Sequence, residues 1–233
     1  MKLGIMQPYF FPYLGYWQLI NAVDKFVIYD DVNYIKGGWI NRNRILLNGS
    51  AHYINMYMNG ASSNKKINEI DLEKNVHMLN KNIKMLEAAY KDAPFFGKVF
   101  PLIKKVLYNF DVNNIAEYIE NIIREILIYL DISTEVIMSS NIKKNNCLKA
   151  QDKVIEICKI LNADEYVNAI GGQSLYSKKA FSEEGIELKF IKENDIVYKQ
   201  YDNEFVRDLS IIDVLMFNSK EDVKKLLQEY NLI

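Results

Sequence analysis

KLGIMQPYFFPYLGYWQLINAVDKFVIYDDV, residues 2–32, is the stretch whose reading decides the fold. Lys2–Met6 is short and apolar and predicts a first strand. Pro8 and Pro12 each remove a backbone donor and push the preceding residue into an extended conformation, so Gln7–Leu14 reads as a loop. Gly15 then opens a helix on which Tyr16, Leu19, Ile20 and Val23 recur at helical spacing. After Asp24 and Lys25, the run FVIYDDV ends in two carboxylates and predicts a second, buried strand. Strand, loop, helix and strand within about thirty residues make a βαβ unit, because parallel strands need such a crossover.

That unit has a geometry. Gln7–Leu14 lies at the carboxyl end of the first strand, Gly15 and Tyr16 at the N-terminus of the next helix, and Asp30 and Asp31 at the carboxyl end of the second strand. Open α/β sheets bind ligands along that edge, and a helix N-terminus there favours phosphate. The competing reading is that the prolines and aromatics only shape a packed loop.

Outward from this unit, WINRNRILLNGSAHYINMYM alternates like a hairpin broken at Asn48-Gly49. From Ile67 to Leu130 the pattern turns helical. One helix ends near Ala93-Pro94, and a second carries Ile115, Ile119, Ile122, Ile123, Ile126 and Leu130 on one stripe, with Asn113 or Asn114 as cap. TEVIMSS, EYVNA and IELKFIK then read as strands, and CLKAQDKVIEICKIL as a helix. Gly171, Gly172, Gln173, Ser174 and Tyr176 follow the EYVNA strand, where a Gly pair allows close backbone approach. Ser210 caps IIDVLMF. The expected organisation is one α/β core built from residues 1–66 and 133–233, with 67–132 as a helical insertion.

The 233 residues carry a net charge of −1, which gives no global field for nucleic acid or an anionic membrane. Cys147 and Cys158 are too few for a disulfide scaffold and suit a reduced, cytoplasmic setting. No stretch is long and apolar enough to span a bilayer. The only histidines, His52 and His77, lack metal-ligand spacing with the cysteines, so no metal site is expected. There is no P-loop, no GxGxxG after the first strand and no nucleophile elbow.

Carboxylates, arginines, amides and phenols remain at one sheet edge. Asp30 and Asp31 are candidates to hold a sugar or amine, to coordinate Mg²⁺, or to act as base, while one of them can instead cap a turn. Arg42 and Arg44 share a face of an extended segment, beside Asn41 and Asn43. They suit bidentate grip of phosphate or carboxylate, or ion pairing with helical glutamates. Gln7, Tyr9, Tyr13, Tyr16, Tyr34 and Trp39 are candidate lining for a base or sugar, with plain burial as the alternative for the aromatics. The layout also resembles nucleotidylyltransferases and pantothenate synthetases, whose His-x-Gly-His turn holds ATP phosphates. Here the turn is Tyr13-Leu14-Gly15-Tyr16, and a phenol is no cation at pH 7.

With these residues in view, the chain resembles the WbqC-like family over nearly its whole length. The resemblance is carried by Ile5, Gln7, Pro8, Pro12, Gly15 and Tyr16, then by Asp24, Phe26, Val27, Asp30, Asp31, Val32, Tyr34, Trp39, Asn41, Arg42 and Asn43. Tyr90, Ala93, Pro94, Ser139, Ser140, Tyr166, Gly171, Tyr176, Phe181, Ser210, Asp213, Val214 and Leu215 match later blocks. Two departures stand out: Lys81-Asn82 replaces a common Lys-His pair, and Asn168 with Ile170-Gly171-Gly172 replaces a Ser-Gly. The resemblance implies surface-polysaccharide (O-antigen) and amino-sugar biosynthesis. Joined to the pantothenate-synthetase-like layout, it leads to an expected acyl or aminoacyl transfer to the amine of a nucleotide-linked sugar. Arg42 and Arg44 would hold phosphates or carboxylate, Asp30 or Asp31 the amine, and Gln7 and Tyr16 the donor side. A nucleotidyl or glycosyl transferase of the same pathway and a non-catalytic binding module are the alternatives. ATP, acyl-CoA and Mg²⁺ are all compatible cofactors. The expected fold is an α/β, Rossmann-like, mostly parallel sheet with a helical insertion.

Overall fold

In the computed structural model, which describes residues 1–202 and 204–233, the opening stretch forms the βαβ unit its sequence predicts. β1 (Lys2–Met6) and β2 (Lys25–Ile28) pair in parallel across α1 (Leu14–Asn21), with Leu3 opposite Lys25 and Met6 opposite Ile28. β2 ends short of the carboxylates, so Asp30 and Asp31 sit in the turn that follows it.

β3 (Arg42–Leu47) and β4 (Ser50–Asn55) form the expected hairpin. Asn48 and Gly49 turn it with φ of 51° and 73°, a pair of left-handed residues whose twist matches that of the strands. The short strands β5 (Met58–Asn59) and β6 (Asp71–Leu72) pair with each other. Three helices come next: α2 (Val76–Tyr90), α3 (Phe96–Leu107) and α4 (Ile115–Leu130). Of the two candidate caps for α4, Asn114 takes the role and accepts from the Ala116 N–H at 2.7 Å.

The chain then returns to the sheet through β7 (Glu135–Met138), α5 (Ala150–Ile160), β8 (Glu165–Ala169), α6 (Lys178–Glu183) and β9 (Glu187–Glu193). It closes with α7 (Ile211–Phe217), α8 (Lys220–Leu226) and β10 (Tyr230–Leu232).

The central sheet runs β10-β9-β8-β1-β2-β7, and every pairing is parallel except that of β10 with β9. Its strands alternate between two cores. Phe26, Ile28, Val136, Met138 and Val167 join α1, α4 and α7 on one face, while Leu3, Ile5, Val27, Tyr166 and Phe190 join α5 and α6 on the other. Helices therefore cover both faces of a mostly parallel α/β sheet. The chain leaves β1 toward β2 on one side and β8 toward β9 on the other, so the winding reverses between β1 and β8. Such a reversal splays the two following loops apart and opens a crevice at the strands' carboxyl ends.

The proline loop between β1 and α1 is fixed by its carbonyls. Phe10 O and Phe11 O accept from the buried Asn43 amide at 3.1 and 2.8 Å, and Phe11 O also accepts from Ser210 Oγ at 2.8 Å. Pro12 O accepts from Trp17 Nε1 at 3.1 Å and from the Ile211 N–H at 2.9 Å. These bonds hold Phe11 at φ 44°, a conformation a bulky residue keeps only when its surroundings over-determine it. Asn43 is thus a strut for the loop.

A second buried polar knot ties α7 to the rest. Asp213 accepts from Tyr90 Oη at 2.9 Å and from Tyr198 Oη and Gln200 Nε2 at 2.7 Å each, and among the described residues it forms no ion pair. Burial raises its pKa from 3.8 to about 6, the hydrogen bonds opposing. The raised value means that ionisation costs the native state more than the unfolded chain. The contribution of Asp213 is therefore full below pH 3.8, falls as pH rises toward about 6, and is level above it, a loss of roughly 3 kcal/mol. Denaturant unfolding of the wild type and of Asp213→Asn at pH 4 and pH 7 should show a larger acid-side gain in the wild type, by the contribution of Asp213. Equal gains in both proteins would contradict it.

Candidate functional site

The crevice between β1 and β8 is a real cleft of about 510 Å³. The β1 loop supplies Gln7, Tyr9 and Tyr13, and the first turn of α1 supplies Gly15; β8 supplies Asn168, and the segment after it Gly171, Gly172 and Tyr176; Tyr29, Trp39 and Glu193 close the sides. Three exposed aliphatic residues, Ile35, Ile170 and Leu175, rim it.

Each wall has a local cause. Tyr16 is buried in the first turn of α1 and donates its hydroxyl to Gln7 O at 3.0 Å, which presents the Gln7 amide to the cleft. Tyr16 is therefore a support, with its ring 5.6 Å from that of Tyr9. Trp39 is anchored by its carbonyl, which accepts from the Phe10 N–H at 3.0 Å. Asn168 donates to Tyr166 Oη at 2.9 Å and accepts from the Ala169 N–H at 2.7 Å, so it shapes the Ile170–Leu175 turn.

Among the described residues, the side-chain polar groups of Gln7, Tyr9, Tyr13, Tyr29, Trp39 and Glu193 make no hydrogen bond to protein. Burial raises the pKa values of Tyr9, Tyr13 and Tyr29, so these phenols stay neutral and donate. Glu193, at the end of β9, is the one carboxylate lining the cleft among the described residues. Its pKa is raised, first by desolvation and then by the charge of Asp208, with Arg207 opposing. It packs so closely under α1 that a Cβ on Gly15 would stand 1.9 Å from its Oε1. Any larger residue at position 15 would therefore have to displace the flexible end of Glu193.

Asp30 and Asp31 lie outside this lining, and their oxygens are committed elsewhere. Asp30 is fully buried and accepts from Asn68 Nδ2 at 3.1 Å and the Ser140 N–H at 2.9 Å, tying the end of β2 to two neighbouring turns. Asp31 accepts from Ser139 Oγ at 2.7 Å and pairs with Lys144 and Lys153, each at 2.9 Å, all three side chains being buried. Desolvation acts to raise its pKa, but the hydrogen bonds from Lys144, Ser139 and Lys153 outweigh it and the net shift is downward.

The arginines separate. Arg42 donates to the carbonyls of Gly37 and Gly38 and sits 4.7 Å over the Tyr53 ring, so it braces the loop before β3. Tyr34 and Asn41 brace the same loop through a 2.9 Å hydrogen bond. Arg44 lies 5.4 Å over Trp39 and lines a smaller hollow of about 260 Å³ with Tyr13, Trp39, Asn43 and Asp208. Neither arginine pairs with a helical glutamate among the described residues. Ser174 lies in the turn after β8 but does not line the cleft. Among the described residues no cluster of His, Cys, Asp and Glu has a metal-holding arrangement, and no helix is long and apolar enough to cross a membrane.

Glu193, Tyr29 and Asp208 were not singled out from the sequence. Glu193 ends a strand much as Asp30 and Asp31 follow one, but IELKFIKE alternates apolar with charged residues and lacks the continuous apolar run of FVIYDD, so the sequence signal for it is weak.

Comparison with known proteins agrees with this sequence pattern. An uncharacterized protein of Mycobacterium tuberculosis is 27% identical over 219 residues, covering 93% of each chain. No solved structure matches. The profile of the WbqC-like protein family matches residues 7–225, from Gln7 in the cleft wall to α8, and the chain belongs to that family.

Proposed function

We propose that the cleft binds the amino sugar of a nucleotide-linked sugar, and that the protein transfers an acyl or aminoacyl group to its amine in surface-polysaccharide biosynthesis. The observation that carries this reading is the lining itself: aromatic faces and unsatisfied hydrogen-bonding groups around a single carboxylate of raised pKa. Polyhydroxylated rings are held by such a combination, because aromatic faces cover their C–H groups while amides and phenols meet their hydroxyls. The family name points to the same pathway. The Rossmann-like layout, with residues 67–132 as a helical insertion in the core, belongs to this proposal and is supported by the reversal of winding at the cleft.

In this reading Glu193 takes the part first expected of Asp30 or Asp31. The sugar amine attacks the carbonyl carbon of an activated acyl donor, the donor's leaving group departs, and the amine's proton passes to Glu193. A raised pKa brings a carboxylate nearer to neutral pH and so improves it as a base.

The chain offers its own probe. Of its two tryptophans, Trp17 is fully buried and Trp39 lines the cleft. Titration with UDP- and dTDP-linked amino sugars should give a saturable change in tryptophan fluorescence that Trp39→Phe abolishes. No saturable change with any of these ligands would count against the reading.

A further inference from the structure

The hollow beside the cleft holds a charge without a counter-charge. Of the five N–H donors of a guanidinium, Arg44 uses one, from Nη2 to Asp208 O at 2.9 Å. Its Nε is buried with no partner, and it forms no ion pair among the described residues. Its backbone is fixed at both ends, the N–H by Asn43 Oδ1 at 2.8 Å and the carbonyl by the Ser210 N–H at 2.8 Å. A rigidly mounted, partly desolvated guanidinium with spare donors is built for an anion. Asp208 lines the same hollow, and among the described residues its exposed carboxylate is also unpaired, neighbouring Arg207 being taken by Asp195 at 2.9 Å. Asp208 and Glu193 are close enough for the charge of one to act on the other. The lining of the hollow thus offers one cation, Arg44, and one carboxylate, Asp208.

We propose that the Arg44 hollow is a binding site for a free α-amino acid, whose carboxylate meets the Arg44 guanidinium and whose ammonium meets Asp208. A dianionic phosphate would meet Arg44 but would be repelled by Asp208, whereas a zwitterion satisfies both charges. Size agrees: about 260 Å³ lies below the roughly 300 Å³ at which sites for drug-sized ligands begin. Tyr13 and Trp39 line both the hollow and the cleft, so the two ligands would meet across those rings. The inference deepens the proposed function by naming the class of acid whose aminoacyl group is transferred, once a nucleoside triphosphate has activated its carboxylate as the acyl-adenylate type of anhydride with loss of pyrophosphate, and it rests on that reading.

The test is calorimetric titration of the full chain with the common amino acids, their methyl esters, the matching carboxylic acids and inorganic phosphate. At least one amino acid should bind, and its ester and its deaminated acid should bind at least tenfold more weakly. Arg44→Gln should abolish binding. Asp208→Asn should weaken it about tenfold while keeping the fold, because Asn tolerates the left-handed φ of 55° found at Asp208. No binding by any amino acid, equal binding of the simple acid, tighter binding of phosphate, or unchanged affinity in Asp208→Asn would each overturn the proposal. Titrating a nucleotide-linked amino sugar into Arg44→Gln separates the two readings. Sugar binding that persists there while every amino acid fails in the wild type leaves the cleft reading standing and removes this one.

Discussion

Asp31→Asn is expected to cost about 3–5 kcal/mol of stability, the loss typical of breaking a buried ion pair by removing one partner. The reason is the two buried lysines. Lys144 and Lys153 both reach the same Asp31 oxygen at 2.9 Å. Lys153 also donates to Asp31 O at 3.1 Å and lies 5.2 Å over the Tyr29 ring of the cleft. An amide in place of the carboxylate leaves two cations without their anion. Since native proteins hold only about 5–15 kcal/mol in all, urea unfolding of this variant should show a midpoint far below that of the wild type. The lowered pKa of Asp31 fixes the sign with pH: its contribution is complete above the ordinary carboxylate value and is lost as pH falls through the lower native value. A variant as stable as the wild type, with activity lost, would instead make Asp31 a catalytic residue.

Glu193→Gln is expected to lower turnover by about 10²–10⁴-fold, the usual contribution of a positioned base, while the amino sugar still binds, about tenfold more weakly than to the wild type. Gln keeps the shape and the hydrogen-bonding reach but cannot accept the amine's proton. Gly15→Ala provides an independent check from the opposite wall. Its new methyl would fall 1.9 Å from Glu193 Oε1, and the flexible end of Glu193 must swing away. The fold should survive, because a side-chain tip moves rather than backbone, while turnover falls by at least tenfold. Steady-state kinetics on the acylated sugar, with circular dichroism as a control for folding, reads both. Full activity in both variants would remove Glu193 from the reaction.

The fold was legible where local signals agreed with the long-range pattern. Two prolines, a helical stripe and an apolar run define β1, α1 and β2 within one short stretch, and Asn48-Gly49 announces its own turn. The site was legible only in part. Gln7, Tyr9, Tyr13, Gly15 and Trp39 belong to that stretch or lie just after it, and Gly171, Gly172 and Tyr176 follow a readable strand. They meet because the winding reverses between β1 and β8, which is a property of strand order and not of any local motif.

Asp30 and Asp31 carried the right position for a site but not their partners. Lys153 lies 122 residues further on, and nothing near the aspartates announces that two lysines fill the space beside one of them. Tyr16 and Asn43 also have partners that the local sequence does not announce. Their polar atoms are spent on the backbone of the proline loop, and that need arises only once the loop is buried. Glu193 escaped because a lone glutamate between Lys192 and Asn194 is ordinary on a solvated edge. Its surroundings come from α1 and from the turn around Asp208, both distant in the chain.

The most direct test of the central claim compares two ligands that differ in one group. A nucleotide-linked amino sugar and its counterpart with a hydroxyl in place of the amine would be titrated against the wild type and Glu193→Gln, with Trp39 fluorescence as the signal. The account predicts saturable binding of both to the wild type, at least tenfold tighter for the amine, with that preference lost in Glu193→Gln. Equal affinity for the two sugars in the wild type, or no binding of either, would contradict it.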